Sequence, residues 1–337
     1  MEGLVSKKKI LLLIILPIGF FFVSLFWGRY SISPLEVIQV LAAKISPYQH
    51  NLPDTVEAIV LNVRFPRALL ASFIGAALSI SGASFQGIFS NPLVSPDILG
   101  VSAAAGFGAA LAILLDQNAA MIQLSAFSFG ILGVGIAYVI SRVYKTTPTL
   151  MLVLAGVIVA ALFGALTSAT KYLADTESKL PAITFWLMGS LATASWKDVI
   201  KALPPIIFGT SVLMMLRWRI NLLSMGDAEA RSLGVRTELM KGIIIVSTTL
   251  VTASAVCVSG VIGWIGLIMP HVARMLVGPD HKVLMPASMV VGACYLLFID
   301  DIARTATAAE IPLGILTAIV GAPFFAYLLR KTKGGWK

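Results

Sequence analysis

Long apolar runs, broken at short intervals by charged and turn-forming residues, follow one another along almost the whole sequence. A helix needs roughly 20 apolar residues to cross a bilayer, and shorter ones suffice where neighbours bury them. The pattern therefore predicts about ten spanning helices, near residues 10–30, 64–87, 97–115, 120–143, 149–172, 198–217, 238–259, 263–276, 283–303 and 311–331. The expected fold is all-α, a single polytopic membrane domain over residues 1–337. The first run follows Lys7, Lys8 and Lys9 in the manner of a secretory signal, but it is long enough to span and no small-x-small cleavage site follows it. It reads as an uncleaved first span.

Composition supports this picture. Of the 337 residues 58% are hydrophobic and 12% charged, against about 25% charged in an ordinary soluble domain, which excludes a soluble enzyme. The net charge of +9 lies in short patches between apolar runs with no continuous basic face, so no nucleic-acid partner is indicated. Placing the N-terminus in the cytoplasm puts Lys7, Lys8, Lys9, Arg142, Lys145, Arg217, Arg219, Arg231, Arg236, Lys241, Arg274, Lys282, Arg330, Lys331, Lys333 and Lys337 inside, as the positive-inside bias requires. Arg29, Lys44, Arg64, Arg67, Lys171, Lys179, Lys197, Lys201 and Arg304 fall outside with ten of the 16 acidic residues. Both termini are then cytoplasmic, which an even number of spans demands.

Small residues at four-residue spacing, which let helix backbones approach in lipid, form three stripes: Ala71, Gly75, Ser79; Gly156, Ala160, Gly164, Ser168; and Gly314, Ala318, Ala322. They read as general helix packing. Cys257 and Cys294 lie in apolar stretches with no Cys/His partner at metal-ligand spacing, so they read as small buried residues, and no metal site is expected.

An ion-coupled carrier usually needs an ionisable group inside the membrane. No acidic residue occurs between Asp116 and Asp175, and the other carboxylates sit near predicted helix ends or in loops. The chain also lacks the Gly-Lys pair of a phosphate-binding loop, so energy for pumping would have to come from another subunit. The long loop Arg217 to Arg236, RWRINLLSMGDAEARSLGVR, offers a surface to such a partner: its centre, Ser224 to Leu233, is helix-forming and amphipathic, with Gly226 and Gly234 as punctuation.

Several long blocks resemble the FecCD family of permeases from type II ATP-binding-cassette importers. They are RFPRALLASFIGAALSISGASFQGIFSNPLVSPDILGVS (Arg64 to Ser102), FWLMGS (Phe185 to Ser190), NLLSMGDAEARSLGV (Asn221 to Val235), GVIGWIGLIMPHVARMLVGPDHKVLMP (Gly260 to Pro286) and DDIARTATAAEIPLGILTAIVGAPFFAYLL (Asp300 to Leu329). The resemblance implies a ten-helix permease subunit in the cytoplasmic membrane of a bacterium or archaeon. It implies a homodimer with two cytoplasmic ATPases and one extracytoplasmic substrate-binding protein. ATP and magnesium would be bound by the ATPase, with no cofactor and no catalysis on this chain. It places ATPase coupling on Gly226, Asp227, Ala228, Glu229, Ala230, Arg231, Leu233 and Gly234, and binding-protein docking on Arg64, Arg67 and Arg304, whose guanidinium forks suit carboxylates. Asn91, Leu93 and Thr149 would flank a cytoplasmic gate, with Leu150 where some relatives carry a small polar residue. His271 and Arg274, in a motif general to the family, are expected to be structural, and His50 and His281 to be lone loop histidines. The cargo implied is a ferric siderophore, haem or cobalamin, or an oxyanion such as molybdate. The competing reading is a secondary transporter or channel working without ATP.

Overall fold

A computed structural model of the chain describes residues 7–45, 52–142 and 148–331. Its elements in order are α1 (Lys7–Phe26), α2 (Pro34–Ile45), α3 (Asp54–Ala58), a π-helical turn (Ile59–Arg64), α4 (Phe65–Ile88), a 3-10 turn (Pro96–Leu99), α5 (Val101–Leu114), α6 (Ala119–Ser141), α7 (Thr149–Leu173), α8 (Lys179–Met188), α9 (Trp196–Leu223), α10 (Asp227–Ser232), α11 (Thr237–Ser259), α12 (Ile265–Val277), α13 (His281–Thr305) and α14 (Leu313–Lys331). Each of the ten predicted spans meets one helix. Among the described residues six helices are long and apolar enough to cross a membrane, the first of them running unbroken from Asp54 to Ile88, and four shorter apolar ones accompany them. Lys145, Lys333, Lys337 and His50 lie outside the described residues.

Hydrogen bonds sort the connections into two groups, as alternating spans must. At one end Arg29 donates to the carbonyls of Arg304 and Thr307, Trp196 Nε1 to Leu61 O, Lys179 Nζ to Asp116, and Ser190 N to Ser259 O. At the other, Ser90 Oγ donates to Ser224 O, Asn221 Nδ2 to Asp280, and Arg217 to Lys282 O. These are the arginine end and the α10 end below.

Helix α4 is the axis, with 78% of its spanning window buried against 28% for α7. Its glycines explain how neighbours come so close. A Cβ at Gly75 would stand 2.2 Å from Gly292 O on α13, and one at Gly82 would stand 1.7 Å from Gly266 O on α12. Without side chains the backbones touch, which is the contact that holds helices together where lipid supplies no hydrophobic drive. The first predicted stripe packs in this way. In the second, Gly156 lies against Ile98 O, but Gly164 has nothing within 4 Å. That half of the stripe is exposed on α7.

Three differences from the sequence reading have physical causes. The loop expected to start at Arg217 starts later, because Ile220 and Leu223 are buried and carry α9 on to Leu223. The short α2, α3 and α8 escaped prediction, because their lengths of 12, 5 and 10 residues fall below a spanning run. Non-helical backbone at 189–195 and 260–264 is paired internally, Ser190 N to Ser259 O at 2.8 Å and Leu313 N to Gly189 O at 2.8 Å.

Candidate functional site

At the α10 end a tight helical hairpin projects between α9 and α11. Gly226, at φ 118°, starts α10, and Gly234, at φ 81°, stops it. Val235 N donates to Ala230 O at 3.0 Å and Gly234 N to Arg231 O at 2.9 Å, the paired reverse bonds of a helix stop with a left-handed glycine. Ala230 is fully buried and Val235 packs on the same cluster. Lys241, 1% exposed, reaches from α11 to Asp227 Oδ2 at 2.5 Å, and Arg231 Nε donates to Thr237 Oγ1 at 3.1 Å. α10 is thus fastened on one side only. Ala228, Glu229, Leu233 and Gly234 remain exposed beside Met225, giving a small mixed surface on a fixed support.

The gate candidates lie on the segment and the helix that meet at Ile98 and Gly156. Asn91 Oδ1 accepts from Leu93 N at 2.9 Å, closing the turn after α4, and the 3-10 segment that follows carries Ile98 against Gly156 of α7. Thr149 begins that same helix, and Leu93 and Leu150 are exposed. Gln86 binds this segment to α12, its Nε2 donating to Val94 O and Leu267 O while its Oε1 accepts from Arg274 at 2.9 Å. Arg274 thus ties α12 to α4.

His281 is a correction. It is the first residue of α13, 6% exposed, and its backbone N–H donates to Asn221 Oδ1 at 2.8 Å with ring Nδ1 at 2.9 Å from the same oxygen. The ring sits where a Cβ on Gly87 would lie, so it joins α4, α9 and α13. Asp280 before it accepts from Lys282 N and caps α13. The adjoining Asp280 carboxyl, although burial opposes its charge, is held below its ordinary range by the Asn221 amide and the Lys282 N–H.

The arginine end also departs from expectation. Arg64, Arg67 and Arg304 are at most 6% exposed. Arg67 is bidentate twice: to Asp300 at 2.9–3.1 Å and to Glu310 at 2.9–3.0 Å. Arg304 binds Asp301, Ser24 Oγ and Ser24 O, and Ser24 Oγ also donates to Asp301 at 2.7 Å. Arg64 donates to the carbonyls of Leu25, Phe26 and Tyr30. The three do not form an open basic patch, because they are buried and each donates to carboxylates or main-chain carbonyls of the same chain, with only Arg304 Nε, of their buried donors, left without a partner among the described residues. The sequence carried the signal in Asp300 and Asp301, two acidic residues beside Arg304, but Arg67, the partner of Asp300, lies 233 residues away along the chain and Ser24, which also binds Asp301, lies 277 away.

The FecCD transport family matches residues 12–331. The chain belongs to that family. It is 42% identical over 313 residues to the molybdate import system permease protein MolB of Haemophilus influenzae, covering 93% of this chain and 92% of that one. It is 43% identical over 289 residues to the cobalamin import system permease protein BtuC of Halobacterium salinarum (86% and 78%), and 38% over 288 residues to the hemin transport system permease protein HmuU of Yersinia pestis (83% and 85%). A solved metal-chelate type ABC transporter in an inward-facing conformation superposes with a TM-score of 0.86 at 41% identity, over 97% of this FecCD chain and all of the other.

Proposed function

We propose that this FecCD chain is the membrane-spanning permease subunit of an ATP-driven importer, with α10 as the element that feels the ATPase. The observation that carries this reading is the one-sided fastening of α10, a partner surface on a rigid support, within a family match over nearly the whole chain. The α10 end then faces the cytoplasm, as the basic-residue distribution predicts. Two ATPase subunits, which supply the bound ATP and magnesium, close against this end, and an extracytoplasmic binding protein docks at the other. Docking uses the surface that the Arg67–Asp300–Glu310 network holds in shape, rather than the buried guanidinium groups themselves. The cargo belongs to the class of metal chelates, cobalamin, haem or oxyanions that the relatives' names span.

Two copies complete the pathway. α7 exposes Val157, Ala161, Gly164 and Ser168 along one flank, and small residues at this spacing suit close helix approach in lipid. A pore walled by such side chains binds cargo weakly and leaves recognition to the binding protein. The test is uptake in proteoliposomes containing this chain with and without the partner ATPase and its binding protein. Uptake that needs both and ATP supports the reading; ATP-independent uptake by this chain alone overturns it.

A further inference from the structure

α6 and α11 lie side by side with a furrow between them that no side chain of the described residues fills. Near the arginine end it holds a hollow of about 360 Å³ bordered by Gln123, Phe127 and Lys201, with Ser254 and Val258 opposite. Nearer the α10 end a second hollow, about 340 Å³, is bordered by Ile131, Gly135 and Tyr138, with Val246 and Leu250 opposite. On both helices the borders continue at the next turn, Phe127 to Ile131 and Ser254 to Leu250, so the two hollows lie in line along one furrow. From Ala120 to Tyr138 it runs about 27 Å at the helical rise, whereas one leaflet contributes about 15 Å of hydrocarbon.

The furrow is chemically uniform except at its mouth. Its serine and threonine hydroxyls are consumed by their own helix, Ser254 Oγ donating to Leu250 O and Thr249 Oγ1 to Ile245 O, so apart from Tyr138 at the far end an occupant meets hydrocarbon. Lys201 stands at the mouth, and Lys197 lies one turn earlier on α9, both exposed. Among the described residues neither pairs with a carboxylate. Lys201 Nζ donates to Gln123 Oε1 at 3.0 Å, and the nearby Asp198 is engaged by Gln123 Nε2 at 2.7 Å and by Ser195 N and Oγ. An apolar slot with two cations at its membrane-surface end has the charge and polarity of one kind of molecule.

We infer that the α6/α11 furrow binds an anionic glycerophospholipid, one acyl chain lying between Phe127 and Val258 and the phosphate held by Lys201 and Lys197. The inference rests on the chain spanning a membrane and not on the import reading, so ATP-independent uptake would leave it standing. The test is native mass spectrometry of the full-length protein titrated with dioleoyl phosphatidylglycerol and dioleoyl phosphatidylcholine in equal amounts. Wild type should favour the anionic lipid about tenfold, and Lys197→Gln with Lys201→Gln should remove that preference. Gly135→Leu fills open space, since a Cβ there meets nothing within 4 Å. It should fold and bind less of both lipids. Equal binding of the two lipids by wild type, a preference that survives the double substitution, or a second polypeptide retained in the furrow would each overturn the assignment.

Discussion

Gly234 shows how far one residue can be read. Its place at the end of a helix-forming run marks a stop, and the structure gives the reason: φ of 81° with nothing within 4 Å of an added Cβ. Substitution there is opposed by backbone conformation alone. Gly234→Ala should therefore cost about 1 kcal/mol in the α10 cap, seen as faster amide exchange from Ala230 to Val235 and as reduced ATP-driven uptake with the ATPase still bound. Exchange equal to wild type would show that the left-handed stop does not hold α10. Gly260 differs: it also has positive φ, but a Cβ would stand 2.2 Å from Trp186 O. Sequence spacing cannot tell these two glycines apart, because the second constraint comes from a segment 74 residues earlier.

Among elements, the junction of α1, α4 and α13 was the least legible. Apolar runs revealed the helices themselves, and the glycine stripe on α4 revealed that something packs there. The partners of Arg67 stayed hidden, since nothing local to RFPR names Asp300 or Glu310. Their burial changes what charge substitutions test. Arg67→Met leaves Asp300, which is fully buried, without a partner and should destabilise the protein by about 3–5 kcal/mol. Adding Asp300→Asn should recover much of that loss in thermal unfolding of the purified protein. If the double variant is no more stable than the single one, the Arg67–Asp300 pair does not carry the junction.

For the molecule as a whole, the span count and the alternation of its connections followed from hydropathy and charge, because membrane thickness and topology constrain every segment in the same way. What surrounds a single chain did not follow, and α7 displays it. Single cysteines placed at Val157, Ala161 or Ser168, with Cys257 and Cys294 replaced by alanine, should give disulfide-linked dimers on mild oxidation in membranes if α7 faces its own copy. Monomers at all three positions would remove α7 from the proposed dimer contact. The separation between Arg67 and Asp300 also has a consequence in time. Those residues are 233 positions apart, and chains are synthesised at about 5–20 residues per second, so roughly 10–50 s pass between their emergence. For that interval α4 waits in the bilayer with Arg67 unmatched and its glycine faces bare, and a chain terminated before α13 would never leave that state. The nascent protein's exposure to membrane quality control is thus set by how late its buried carboxylates arrive.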